Sequence, residues 1–231
     1  MIGCIIQARL GSSRLPEKIM QKIDDHNTVL DYVVKQVRAA KKIEKILVAT
    51  TNLEQDDVIC DHLATKNIEC CRGSSEDVLD RYYQCAKKFS VDTIVRITAD
   101  NPLVDPNIID LIIDKYVAHN CDLSTNTLHR TFPYGTEVEV FSFTALEQAW
   151  KQAKKPSERE HVTPFIRDPQ NKFNLINVEY EEDLSYLRYT IDRMEDLSLV
   201  KEIVRNIQTR PILIQNIINL YKTKPSIFEI N

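Results

Sequence analysis

Apolar periodicity switches between strand-like and helix-like several times along the first half of this 231-residue chain. Ile2–Ile6 reads as a buried strand. Val29, Leu30, Tyr32, Val33 and Val37 recur at helical spacing, with Asn27 or Thr28 as N-cap. Lys45–Thr50 is a second strand, Glu54–Ala64 a helix, and Ile68–Cys71 a short strand. Ser74 or Ser75 caps a helix running to about Lys88, with Asp77 in its first turn. Thr93–Thr98 is a further strand, and Pro106 opens a helix through Tyr116. Repeated β–α units of this kind require a parallel sheet with helices on both faces. Ligands of such sheets sit beyond the carboxyl ends of strands, near a switch in strand order. Two loops meet that condition: the one after the first strand, and Ala99–Asp105.

The second half changes character. Thr131–Phe143 alternates polar and apolar residues, as a half-buried antiparallel strand does. Helices are expected at Phe143–Ala153 and Glu158–Ile166, strands at Lys172–Glu179 and Tyr186–Thr190, and helices at Met194–Ile207 and Ile212–Lys222. No Gly/Ser/Pro linker divides the chain, so the expectation is one α/β domain over 1–231. Its sheet is mixed but mostly parallel, in three layers, with an antiparallel excursion around 121–190. The apolar fraction of 43% supports a sizeable core, and the net charge of −4 gives no general affinity for nucleic acid or anionic membranes. No apolar run approaches the ~18 residues of a spanning helix. Met1 leads straight into a strand with no secretory pattern. The six cysteines show no C-x-x-C spacing and read as reduced thiols. Together these imply a cytoplasmic protein without membrane insertion.

Ala8-Arg9-Leu10-Gly11-Ser12-Ser13-Arg14-Leu15-Pro16-Glu17-Lys18 follows the first strand. Gly11 lets the backbone turn and bring its N–H groups near a ligand. Ser12 and Ser13 offer hydroxyls, and Arg9, Arg14 and Lys18 offer three positive charges. Backbone donors plus cations after a first strand suit a polyphosphate, although a solvated basic loop has the same composition. It is neither a Walker loop, which needs G-x-x-x-x-G-K-[ST], nor a three-glycine dinucleotide loop.

Two acidic residues stand at strand ends. Asp100, in Thr98-Ala99-Asp100-Asn101-Pro102, points to the same crevice as the basic loop, or else accepts backbone N–H bonds in a turn. Asp192, in Thr190-Ile191-Asp192-Arg193-Met194, follows an apolar strand and precedes a helix, where N-capping is the alternative role. Mg²⁺ takes one or two carboxylates, with phosphate oxygens and water completing its shell.

These segments resemble sugar-acid cytidylyltransferases, whose loop runs close to A-R-x-x-S-x-R-L-P-x-K. Ala8, Arg9, Ser12, Arg14, Leu15, Pro16 and Lys18 match it. The subgroup around spore coat polysaccharide biosynthesis protein F is the nearest likeness, and 3-deoxy-manno-octulosonate cytidylyltransferases a more distant one. The resemblance implies a Rossmann-like, nucleotide-diphosphosugar transferase fold. It also implies that a G-D-x-P-like and a late I-D-x-x-x-D-L segment each supply a magnesium aspartate, here Asp100 and Asp192. Alanine replaces the usual glycine before Asp100. Arg72 and Gly73 would border the nucleobase, unless they serve the strand-to-helix turn. Arg81 would reach a phosphate or pair with Asp77. Gly135, Glu137 and Glu139 fall where the subgroup places sugar-side residues. Arg159, Glu160, His161 and Thr163 also match, with His161 either an acid/base or a surface partner of Glu158. Trp150 reads as packing.

The implied activity is Mg²⁺-dependent transfer from CTP to a sugar acid or sugar phosphate, for cell-surface polysaccharide, with a homodimer common in relatives. Arg9, Arg14 and Lys18 would hold the triphosphate. The alternatives are a glycosyltransferase of related fold, disfavoured because the chain has no Asp-x-Asp, and a non-catalytic nucleotide-binding protein.

Overall fold

The computed structural model describes residues 1–231. Its first half alternates β1 (Ile2–Gln7), α1 (Val29–Arg38), β2 (Lys45–Thr51), α2 (Asp57–Ala64), β3 (Glu69–Gly73), α3 (Val78–Lys88), β4 (Thr93–Thr98) and α4 (Pro106–His119). The second half adds β5 (Leu123–Thr125), β6 (Glu139–Ser142), α5 (Phe143–Gln152), α6 (Pro156–His161), α7 (Pro164–Arg167), β7 (Leu175–Asn177), α8 (Met194–Asn206) and α9 (Ile214–Thr223). Seven strands form one sheet in the order β3-β2-β1-β4-β6-β5-β7. β1 lies between β2 and β4 and is parallel to both; β6 alone runs against its neighbours. The sheet is therefore mixed and mostly parallel, as expected. The strand order reverses at β1 and β4, so their carboxyl ends open the crevice.

Successive residues of β1 feed opposite layers. Cys4 and Ile6 pack with Leu30 and Val33 of α1 and Ile109 of α4. Ile5 packs with Leu79 and Tyr82 of α3 and Leu146 of α5. This is the period-2 alternation of a strand buried on both faces. A third apolar group joins α8 and α9 to Val29 and Tyr32 of α1, and it includes Leu15 from the basic loop. Leu15 is 4% exposed, so the loop is pinned at its middle rather than free.

Local signals resolve some choices. Thr28, not Asn27, caps α1: its hydroxyl accepts from Asp31 N, while Asp31 Oδ2 accepts from Thr28 N. Asp77 is not inside the first turn of α3 but is its cap, accepting from Asp80 N at 2.9 Å.

Several expectations fail in the second half. Of Thr131–Phe143 only Glu139–Ser142 joins the sheet, although β4 itself runs on to Thr98. The preceding residues are tied by side chains instead: Asn126 Nδ2 donates to the Thr136 carbonyl and Asn126 Oδ1 accepts from Val138 N. Tyr186–Thr190 makes no strand, only one bridge between Tyr134 and Arg188. The strand over Lys172–Glu179 contracts to Leu175–Asn177. The helix over Glu158–Ile166 is broken into α6 and α7 at Val162, which has φ 71°.

Candidate active site

A cleft of about 380 Å³ lies at the carboxyl ends of β1 and β4. Arg9, Gly11, Ser12, Ser13, Arg14 and Lys18 line it, facing Asp100, Asp192, Glu160 and His161. The backbone sets this arrangement. Ile191 N donates to the Asp100 carbonyl at 2.9 Å, and the Thr190 hydroxyl donates to the same oxygen. The two aspartates thus sit on segments stitched directly together.

Neither aspartate plays its alternative role. The Asp192 carboxylate does not cap α8; Asp196 does, accepting from Asp192 N and Arg193 N, both at 2.8 Å. The Asp100 carboxylate accepts from the Thr98 hydroxyl at 2.5 Å and from Lys18 at 2.9 Å, with no backbone N–H among its partners. Lys18 Nζ lies between the two, 2.9 Å from Asp100 and 3.1 Å from Asp192, and also donates to the Ile191 carbonyl. Arg14 and Arg188 reach Asp192 at 2.9 and 2.8 Å. Burial alone would push the Asp192 carboxyl up. Hydrogen bonds from Arg188 and Lys18, with the charge of Arg14, overcome it and hold the group below the ordinary carboxylate range.

Two carboxylates converging on one ammonium make a donor set that also fits a hard divalent cation. The ammonium is monovalent and its stem flexible, so it can leave when a stronger cation arrives with phosphate oxygens. All three Lys18 donors are engaged within the protein, whereas Arg9 lines the cleft and Arg14 lines it while pairing with Asp192.

A second, smaller chamber of about 220 Å³ opens beside the cleft and shares Thr98 and His161 with it. Arg96, Arg130, Arg167, Glu137 and Glu139 line it. Arg96 bonds Glu139 at 2.6 Å and Arg130 bonds Glu137 at 2.7 Å. Glu137 also accepts from Gly135 N and Asn101 Nδ2, both at 2.9 Å. Thr163 donates to Glu139 at 2.7 Å. Arg167 lies 3.6 Å from Glu139. Three guanidinium groups against two carboxylates leave the chamber net positive.

Other residues singled out in the sequence lie elsewhere. Ala8 is buried and fixes the loop's start through its N–H on the Ala49 carbonyl. Arg72 turns outward, donating to the Thr51 and Leu53 carbonyls and pairing with Asp57. Gly73 makes room for Arg81, whose Cγ would lie 3.1 Å from an added Cβ. Arg81 is 1% exposed and holds the Ser74 carbonyl. Its expected partner Asp77 is taken by Arg159, which also donates to the Trp150 carbonyl. Arg159 is thus a strut between α6 and α3. Glu158 bonds the backbone of Lys154 and Lys155, leaving His161 to face the cleft. Gly135, with φ 110°, presses against Tyr189. Trp150 stacks on Tyr83 at 4.1 Å between ring centroids, as packing requires. Arg96, Arg130 and Arg167 carry no motif; the one local signal for them is Arg96, a lone cation inside the apolar strand TIVRIT.

A mostly parallel sheet with a basic loop at its switch point, facing paired carboxylates, is the architecture of a nucleotidyltransferase. A family model described as cytidylyltransferase matches residues 3–231. The chain is 38% identical over 229 residues to the uncharacterized protein MJ1063 of Methanocaldococcus jannaschii, covering 98% of this chain and 93% of that one. It is 32% identical over 214 residues to the spore coat polysaccharide biosynthesis protein SpsF of Bacillus subtilis, covering 90% and 88%. A solved cytidylyltransferase from Leptospira borgpetersenii superposes with a TM-score of 0.94 at 33% identity, covering 98% of this chain and 96% of that one. The chain belongs to the cytidylyltransferase family, and is a nucleotidyltransferase.

Proposed function

We propose that this enzyme joins CMP from CTP to an anionic sugar acceptor, a sugar acid or a sugar phosphate, in cell-surface polysaccharide synthesis. The carrying observation is the meeting of Asp100 and Asp192 on Lys18, beside the basic loop. An acceptor oxygen attacks the α-phosphorus of CTP and pyrophosphate departs. Arg9, Arg14 and the N–H groups around Gly11–Ser13 take the triphosphate and neutralise the charge that builds on the leaving group. Asp100 and Asp192 would hold Mg²⁺, which supplies Lewis-acid polarisation of the phosphate when bound. Lys18, released from these carboxylates, adds its charge to the phosphates.

The acceptor takes the net-positive chamber, where Arg96, Arg130 and Arg167 face its carboxylate or phosphate. His161 and Thr98 line both cavities. With a sugar acid as acceptor, His161 would take the proton of the attacking hydroxyl; its presence in both linings supports this reading. Positioning the two reactants across this junction supplies most of the rate. The polysaccharide context is supported by the likeness to SpsF.

The test is pyrophosphate release from CTP, GTP, UTP and ATP, with and without Mg²⁺, against sugar acids and sugar phosphates. Release that requires CTP, the cation and an anionic sugar is the expected result. Release from no nucleotide with any anionic acceptor would overturn the reading.

A further inference from the structure

Asp56 immediately precedes α2, where an acidic residue ordinarily caps its own helix. It does not do so: its side chain makes no bond to the first turn of α2. The carboxylate is 0% exposed and turns instead toward the neighbouring strand's loop. Oδ1 accepts from Leu10 N at 2.8 Å. Oδ2 accepts from the hydroxyl of Thr51, itself buried. The Leu10 carbonyl meanwhile accepts from Glu17 N, so both peptide groups of Leu10 are fixed. Leu10 lies between Arg9 and Gly11, two residues that line the cleft. The turn carrying Asp56 is itself braced from outside by Arg72, which donates to the carbonyls of Thr51 and Leu53. Gln55 from the same turn lies against Gly11, 3.5 Å from where a Cβ would stand.

A wholly buried carboxylate is costly unless its oxygens are hydrogen-bonded, and here those bonds tie Asp56 to Leu10 and Thr51. We infer that Asp56 is the positioning residue of the phosphate loop. From behind the site it locks the Leu10 peptide, and so sets where Arg9 and the Gly11 backbone meet the triphosphate. It touches no substrate. This rests on the reading of the loop as the CTP site given above.

The test compares wild type with Asp56→Leu, Asp56→Asn and Thr51→Val by calorimetric CTP binding with Mg²⁺. NMR exchange of the Leu10 amide is measured in the nucleotide-free proteins. Asp56→Leu keeps the branched shape but removes the acceptor. CTP affinity of the folded variant should fall about 10–100-fold, the scale of one lost charge-assisted phosphate contact, and the Leu10 amide should lose protection. Asp56→Asn keeps Oδ1 for Leu10 N and should restore most of the affinity. Thr51→Val, which removes one of the two partners, should be intermediate and covers the case in which Asp56→Leu does not fold. A merely structural carboxylate would lower stability yet leave CTP affinity of the folded protein and Leu10 exchange unchanged; that result in either folded variant overturns the inference. Failure of wild type to bind any nucleotide would overturn the functional reading instead, while Leu10 exchange would still report whether Asp56 holds the loop.

Discussion

Replacing Lys18 by methionine keeps an unbranched stem and removes the ammonium. The change deletes three bonds, to Asp100, Asp192 and the Ile191 carbonyl. Hydrogen bonds to charged groups are worth about 1.5–3 kcal/mol each, but the losses do not sum. Asp192 keeps Arg14 and Arg188, so its charge stays compensated. Asp100 keeps only the Thr98 hydroxyl. The net cost is that of one carboxylate left without a cation. Its side chain is 27% exposed, against 14% for Lys18. That lies between a surface pair, at most about 1 kcal/mol, and a broken buried pair, about 3–5 kcal/mol. Urea unfolding at neutral pH in a chelator should therefore show a loss of about 2 kcal/mol. In an Asp100→Asn background, where no charge is left uncompensated, the same substitution should cost less than about 1 kcal/mol.

The pH dependence has a definite sign. The Asp192 carboxyl lies below its ordinary value in the folded protein. Its contribution is present above the ordinary carboxylate range, about pH 4, and disappears as pH falls through the folded value. Lys18→Met removes one of the groups that lower it, so the acid limb of the stability profile should be shallower in the mutant. An unchanged stability would show that the ammonium contributes nothing at this site. A full loss that persists in the Asp100→Asn background would assign the effect to packing of the stem rather than to charge.

Arg14→Ala should weaken CTP binding about tenfold or more, since a charge-assisted phosphate contact is worth ~1.5–3 kcal/mol; calorimetry reads it, and Arg14→Lys should recover only part. Gly135→Ala places a Cβ 2.8 Å from Tyr189 Cδ2 and 2.9 Å from Thr190 N at φ 110°. Such strain costs on the order of 1–3 kcal/mol, visible as a lower urea midpoint; an unchanged midpoint would mean that the segment yields freely. His161→Gln should lower kcat about 10²–10⁴-fold, the range of general-base catalysis, with CTP affinity nearly intact; an unchanged kcat removes His161 from proton transfer.

Much of the scaffold was legible because it is written in short periods. The β–α alternation from Ile2 to Tyr116, the Pro106 helix start and the basic loop after β1 depend on residues close in sequence. Backbone geometry then fixes where they point. Asp100 was visible as an acidic residue at a strand end, and Asp192 as one just ahead of a helix, although the strand expected before it is absent. Their alternative roles stayed open, because a capping aspartate and a cleft-facing one look alike in sequence. Asp196, four residues beyond Asp192, decides the matter by taking the cap itself.

What the sequence left undetermined needs a partner distant along the chain. Thr131–Phe143 has strand periodicity throughout, yet only four of its residues pair with β4, while Asn126 takes the backbone of Thr136 and Val138. Asp56 reads as an ordinary helix-start carboxylate until Leu10 is folded against it. Arg159 matches the subgroup's pattern and would be expected at the substrate, but Asp77 consumes it. The meeting of Lys18 with Asp100 and Asp192 is of the same kind. Periodicity determines which face a residue occupies. Only the closing of the sheet, which sets the side-chain distances, determines which charges neutralise one another and which remain for a substrate.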